Sequence, residues 1–380
     1  MMKLPLVCTL AICSGCGIRM NTAIPERDQR VKDYLGITVR ESVFPGVQYV
    51  VTDSSARLFE YDGGMADIQG GIPMIPATTM MAYSMTKTFT AAAVLQLVER
   101  GTIGLDDSVC KYVEYTPYGR SLTVRHLLAQ MSGIPNPIPL RWAHPAERHA
   151  SFSEDDALRA VLRDNPDLDF PPGTKYAYSN ISYWLLGKVI EKASGISYER
   201  YMTDNIITPL GLGPSEAAFT IMSGIPHAKG YLDKYSWMNL LKGFLVDGEL
   251  LGDYEGSWLH IRDHHLNGPA FGGLIGTARG VAVFLRDQLR ARSVLLSSDA
   301  RELFFARQKT NDGEPIEMTL GWHIGNLDGV TYFFKEGGGG GYHCEMRIYP
   351  EKRIGTVIMV NETSGRCKDT LSDLDRQFLF

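Results

Sequence analysis

β-branched and aromatic residues cluster near both ends of the chain, and helically spaced apolar positions fill much of the middle. The segment FPGVQYVVTD (44–53) is followed, after a Ser-Ser turn, by a second run from Ala56 to Tyr61. Two such runs joined by turn residues predict a β-hairpin. The stretch MAYSMTKTFTAAAVLQLVER (81–100) ends at Gly101 and reads as a buried helix. In ISYWLLGKVIEKASG the apolar positions 181, 185, 189 and 193 keep helical spacing, and Gly195 is placed as a C-terminal cap. ARGVAVFLRDQLRA (278–291) predicts a further helix.

Strand signals return near the end in TLGWHIG, VTYFFKEG, YHCEMRIYP and RIGTVIMVN. Turn residues separate these four runs, which predicts an antiparallel meander. Strands at both ends with helices between them suggest one sheet built from both termini. The expected fold class is therefore α+β: an antiparallel sheet flanked by helices, not a doubly wound parallel fold. The sheet domain is expected over 25–105 plus 270–380, with a mainly helical domain inserted over 106–269 and the site between them. Residues 232–267, which hold Trp237 and Trp258, fit no clear element and are expected to form a loop rimming a pocket.

Composition changes this picture little. The chain has 380 residues, 44% hydrophobic and 21% charged, as in ordinary globular proteins. The formal net charge is -5 and no basic tract occurs, which argues against a nucleic-acid partner. Six cysteines are too few for a disulfide scaffold.

Three of those cysteines, Cys8, Cys13 and Cys16, crowd the start, MMKLPLVCTLAICSGCG. One lysine, an apolar run and then small residues make the layout of a secretory signal over about residues 1–20. Ser14-Gly15-Cys16 resembles the end of a bacterial lipoprotein box, although Cys13 stands where an aliphatic residue is usual. The expectation is a cell-envelope or periplasmic protein anchored to the membrane through lipidated Cys16. If Met20 is the first residue instead, the protein is cytoplasmic.

The helix at 81–100 raises the chemical question. Ser84 and Lys87 lie three residues apart at its start, on one face. The first turn has unpaired backbone N–H groups, so an oxyanion formed there is stabilised. A buried lysine loses affinity for its proton and can then deprotonate the hydroxyl. Alone the spacing means little, because it arises by chance about once in such a chain. Ser108 and Lys111 show it too, among acidic and turn residues. Taken alone, Ser84 is a helix cap beside a solvated lysine.

Two other segments alter that weighing. Tyr178-Ser179-Asn180 is the one Y-x-N in the chain and stands just before a helix. A phenol can relay a proton, and an amide can hold a carbonyl and an ammonium together. Lys335-Glu336-Gly337 is the one K-x-G and ends a strand. The glycines 337–341 let backbone approach a substrate closely, or make a flexible hairpin turn. They are not a phosphate loop, since no Gly-Lys-Ser/Thr follows.

S-x-x-K, then Y-x-N, then K-x-G, in this order and at these separations, resembles the serine β-lactamases and penicillin-binding proteins. The closer resemblance is to the class C-like branch, with its family VIII esterases, DD-peptidases and D-aminopeptidases. LTVRHLLAQMSGIPNP (122–137), PPGTKYAYSN and GPAFGGLIGTARGVAVFL also resemble segments of that branch. The resemblance covers roughly 35–362. It implies the β-lactamase/transpeptidase-like fold. It also implies that Ser84 is acylated, that Lys87 is its base or lowers a partner's pKa, and that Tyr178 shuttles the proton. Asn180, Lys335 and Gly337 would bind substrate, and the backbone N–H groups of Ser84 and Gly338 would form the oxyanion hole.

One position departs from the pattern. Glu336 stands where β-lactamases carry a hydroxyl residue that helps hold the substrate carboxylate. A carboxylate there repels an anionic substrate, unless it turns to the other face of the strand. The expected function is thus ester hydrolysis, with weak or no β-lactamase activity. Lys335 keeps the alternatives open: a β-lactamase, or a peptidase of the D-Ala-D-Ala carboxypeptidase or D-aminopeptidase type. A non-catalytic binding protein on the same fold is a third reading, against which the competent motif residues argue. The expected partner is a small ester, amide or lactam. No cofactor is called for. A G-x-S-x-G elbow is missing, and His260, Asp263, His264 and His265 form the one candidate metal cluster, without H-E-x-x-H.

Overall fold

A computed structural model describes residues 23–137, 142–363 and 366–380. The N-terminal cysteines, Cys16 among them, lie outside the described residues. Seven antiparallel strands form the main sheet: β1 (Gly46–Thr52), β2 (Arg57–Asp67), β3 (Ile72–Pro73), β4 (His323–Leu327), β5 (Val330–Gly339), β6 (Tyr342–Tyr349) and β7 (Ile354–Val360). Their spatial order is β4-β5-β6-β7-β1-β2-β3. The two ends of the chain meet where β1 pairs with β7, Val47 opposite Val360 and Thr52 opposite Gly355.

β1 is buried along its whole length because both faces of the sheet are covered. On one face, helices α1 (Ala23–Arg40) and α5 (Arg366–Leu379) set Val31, Leu35, Leu371 and Leu374 against Val47, Tyr49, Val51 and Ile358. On the other, the large core joins Val50, Met346 and Val357 to α2 (Thr86–Glu99) and α4 (Ala278–Leu289). Helix α2 is buried from Thr86 to Leu97, as a central core helix must be. Helix α3 (Asn180–Ser194) packs against α2 and ends at Gly195, whose φ of 76° is the left-handed cap that glycine adopts without strain.

Three segments differ from their sequence reading. TLGWHIG is strand only from His323, because Thr319 N donates to Trp322 O at 2.8 Å and closes a turn. The glycines at 337–339 are not turn but continue β5; the reversal falls at Gly340 and Gly341, the latter at φ 92°. Residues 230–261 are no loop. Gly230–Asp233, Leu251–Glu255 and Trp258–Ile261 form a small antiparallel sheet over Leu232, Val246, Leu250, Leu259 and Ile261. Two short helices interrupt its apolar pattern, which hides it from a search for alternation. Among the described residues no helix is long and apolar enough to cross a membrane.

Candidate active site

Ser84 sits in a short 3-10 turn, Tyr83–Met85, that leads into α2. Tyr83 before it is held at φ 42°, a left-handed conformation that costs energy in a non-glycine residue. Several contacts fix this turn. Thr86 Oγ1 donates to Tyr83 O at 2.6 Å and accepts from Leu274 N at 3.0 Å. The Tyr83 hydroxyl lies 2.9 Å from His264 Nε2 and 3.0 Å from Gly340 O.

The predicted residues converge on Ser84. Its Oγ is 2.6 Å from the Tyr178 hydroxyl and 2.9 Å from Lys87 Nζ. Lys87 Nζ also reaches Asn180 Oδ1 and the Phe271 carbonyl oxygen, each at 2.6 Å. Burial, then the charge of Lys335, holds the Lys87 pKa well below its ordinary value. A neutral amine has two N–H donors and one lone pair. The amide oxygen and the carbonyl oxygen can only accept, so they take both donors. The lone pair is left facing the Ser84 hydroxyl, as proton abstraction requires.

Tyr178 is pushed the other way. Burial raises its pKa, so the resting phenol keeps its proton. The Lys335 Nζ lies 4.7 Å from the Tyr178 ring centroid, where a cation favours any negative charge arising on that ring. Burial lowers the Lys335 pKa to about 8.

Glu336 turns away from Lys335. It pairs with Glu345 across the sheet while Lys335 pairs with Met346, so alternation sends them to opposite faces. Its Oε1 accepts from His343 Nε2 at 2.8 Å, which holds the carboxyl below its usual range. Gly337 brings β5 against the Ser84 turn, and Gly338 lines the cavity with Ser84.

Sequence reasoning missed the residues that hold these groups in place. Gln130, at φ 56°, accepts from Ser179 N through its side chain at 2.7 Å and from Ala177 N through its carbonyl at 2.9 Å. Asn136 Oδ1 accepts from Asn180 N and Nδ2 at 3.1 and 3.2 Å, which leaves Asn180 Oδ1 for Lys87. His323 stands 3.2 Å from the Tyr176 hydroxyl, and burial lowers its pKa to about 2. Both Gln130 and Asn136 fall in the quoted LTVRHLLAQMSGIPNP segment, so a reading of that segment for side-chain amides was the available signal. Ser108 and Lys111 do not converge on any of this; Lys111 pairs with Asp107 at the surface. The histidines of 260–265 also separate, His264 towards Tyr83 and His265 stacking on His149. Among the described residues, no three His, Cys, Asp or Glu side chains are grouped to hold a metal ion.

The family model described as Beta-lactamase matches residues 27–379. The chain belongs to the Beta-lactamase family. This family is one of serine hydrolases that work through an acyl-enzyme, and its fold is the α+β one described above. A penicillin-binding protein of Bacillus subtilis is 27% identical over 312 residues, which are 80% of this chain and 65% of that protein. The chain thus spans less than two thirds of the length of that curated relative. An octameric penicillin-binding protein homologue from Pyrococcus abyssi has a TM-score of 0.71 at 26% identity, over 89% of this chain and 74% of that one. A D-amino acid amidase from Ochrobactrum anthropi shares the fold, with a TM-score of 0.73 at 18% identity over 93% and 98% of the two chains.

Proposed function

We propose that this family member hydrolyses small carboxylic esters through an acyl-enzyme on Ser84, with weak or no action on β-lactams. The observation that carries the chemistry is the environment of Lys87: two obligate acceptors occupy its donors and direct its lone pair at Ser84 Oγ.

Ser84 Oγ attacks the ester carbonyl carbon and passes its proton to Lys87. The carbonyl oxygen becomes an oxyanion held by the backbone N–H groups of Ser84 and Gly338. One such donor contributes about 2.7–4 kcal/mol in comparable sites. Tyr178 then gives its phenolic proton to the departing alkoxide, and the lysines on either side stabilise the phenolate. A water molecule attacks the acyl-enzyme and returns a proton to Tyr178. Collapse of the second tetrahedral species frees the acid, and Lys87 returns the first proton to Ser84. Ester and water are consumed, acid and alcohol appear, and every side chain is restored.

The preference for esters rests on position 336. No hydroxyl stands there to hold a β-lactam carboxylate, and the carboxyl that replaces it is engaged by His343. Lys335 favours a second reading, a peptidase for D-amino-acid peptides or amides. Comparing a short-chain nitrophenyl ester, nitrocefin and a D-Ala-D-Ala peptide as substrates separates the readings. Ester cleavage with little nitrocefin turnover is expected. Fast nitrocefin turnover without ester cleavage rejects the proposal, and release of D-Ala favours the second reading. Envelope localisation and an anchor at Cys16 belong to the same proposal; cell fractionation of a Cys16→Ala variant tests them.

A further inference from the structure

A small cavity opens beside Ser84. Its walls are Val246, Leu250, Ile261, Leu266 and Phe271, and the backbone of Gly338 to Gly340 forms one edge. No Lys, Arg, Asp or Glu side chain lines it among the described residues. The His264 imidazole does line it, but both ring nitrogens are engaged: Nδ1 lies 2.8 Å from Arg262 O and Nε2 lies 2.9 Å from the Tyr83 hydroxyl. Among the described residues, the walls away from Ser84, Asn180 and Gly338 therefore offer no counter-charge to a carboxylate or an ammonium, and a charged group entering there is desolvated without a partner.

Geometry also says which half of a substrate enters. The leaving group must meet the proton donor, Tyr178. The cavity is lined by Ser84 and Asn180 but by neither Tyr178 nor Lys335. The acyl half is the one left to fill it.

The cavity does not end abruptly. A second, smaller one is lined by Leu232, Met238 and Thr363 and shares Val246, Ile261, Gly339 and Gly340 with the first. Val246 and Ile261 form a common wall between two apolar spaces.

We propose that this cavity is the acyl pocket, that it selects an uncharged aliphatic acyl group longer than acetyl, and that Val246 sets its depth. The proposal rests on Ser84 as nucleophile and Tyr178 as proton donor. It is tested with nitrophenyl esters from acetate to decanoate, and with a hexanoate matched in length to an ester ending in a carboxylate. In the wild-type protein kcat/KM rises by about fourfold per methylene until the pocket is full. The carboxylate-ended ester reacts at least about tenfold more slowly than hexanoate, since none of the described wall residues carries a counter-charge. Leu250→Trp moves the optimum to shorter chains, and Val246→Ala, which opens the common wall, moves it to longer ones. A flat profile, or an acetate optimum that neither variant moves, overturns the pocket while leaving ester hydrolysis intact. Equal rates on the neutral and charged pair overturn it without any variant. No cleavage of any ester, with Ser84 unlabelled by a fluorophosphonate, removes the proposed function and this pocket together.

Discussion

A methyl group added to Gly337 would sit 2.9 Å from the backbone nitrogen of Ser84 and 2.3 Å from the Ala82 carbonyl oxygen. Strand β5 is thus pressed onto the Ser84 turn at a distance only glycine allows. Gly337→Ala must push the two apart and take Gly338 with it. The expected loss is about 10²–10³ in kcat for ester cleavage, the cost of one oxyanion donor. Far-ultraviolet circular dichroism should stay near wild type. A variant as active as the wild type would mean that Gly338 has no part in holding the oxyanion.

Tyr178 is assigned the proton given to the leaving group, so its removal should matter in proportion to how badly that group needs one. Tyr178→Phe should slow an ethyl ester by about 10²–10⁴. Compared by kcat/KM, which reports acylation, a nitrophenyl ester, whose phenolate departs unaided, should suffer much less. Equal losses on both substrates would assign Tyr178 another role. Lys87→Met removes the base and should slow both by a similar factor of about 10²–10⁴.

The pH profile follows from the two lysines. Lys87 must be neutral, and burial depresses its pKa, so the base stays competent well below the range of an ordinary lysine. Activity falls on the acid side as Lys87 takes up a proton. Lys335 must be charged to stabilise the phenolate, and its pKa is near 8. Activity therefore falls again as pH rises through about 8. Plots of kcat/KM against pH should be bell-shaped, and Lys335→Met should lower the plateau, erase the alkaline limb and move the acid limb to higher pH, because the charge that helps depress Lys87 is gone. An alkaline limb unchanged in that variant would assign it elsewhere.

Much of this arrangement could be read from the residues. The hairpin at 44–61, the cap at Gly195 and the closing meander follow local rules of turn chemistry and burial, and β1, α3 and β5 to β7 stand close to where those rules put them. Ser84 with Lys87, and Tyr178 with Asn180, are joined by spacing on one element or its cap. The rest depends on groups that leave no local trace. The Phe271 oxygen that accepts a hydrogen bond from Lys87 is backbone, which any residue would supply. The left-handed Tyr83 is imposed by the surrounding packing, against its own preference. Whether Glu336 faced substrate or sheet depended on register with β6, which becomes fixed only when the strands pair.

Beneath the sheet lies a buried charge cluster remote in role from the chemistry. Arg347 Nε donates to Glu345 Oε1 at 2.6 Å and Nη1 to Asp375 Oδ2 at 3.2 Å, with all three side chains fully buried. Removing the cation strands two carboxyl groups away from water. Arg347→Met should cost about 3–5 kcal/mol. Urea unfolding followed by tryptophan fluorescence measures it. A cost under about 1 kcal/mol, the range of an exposed ion pair, would show that the cluster relaxes freely.

The pairing of β1 with β7 sets a timetable for synthesis. A ribosome that has made β1 and α2 has finished the Ser84 turn, yet the strand that must lie beside β1 is still about 255 codons away. Until the last part of the message is translated, Gly337 cannot close on Ser84. The growing chain is therefore expected to be catalytically silent, and a transcript cut short between codons 338 and 354 yields a protein that carries every motif residue without the strand that joins β6 to β1.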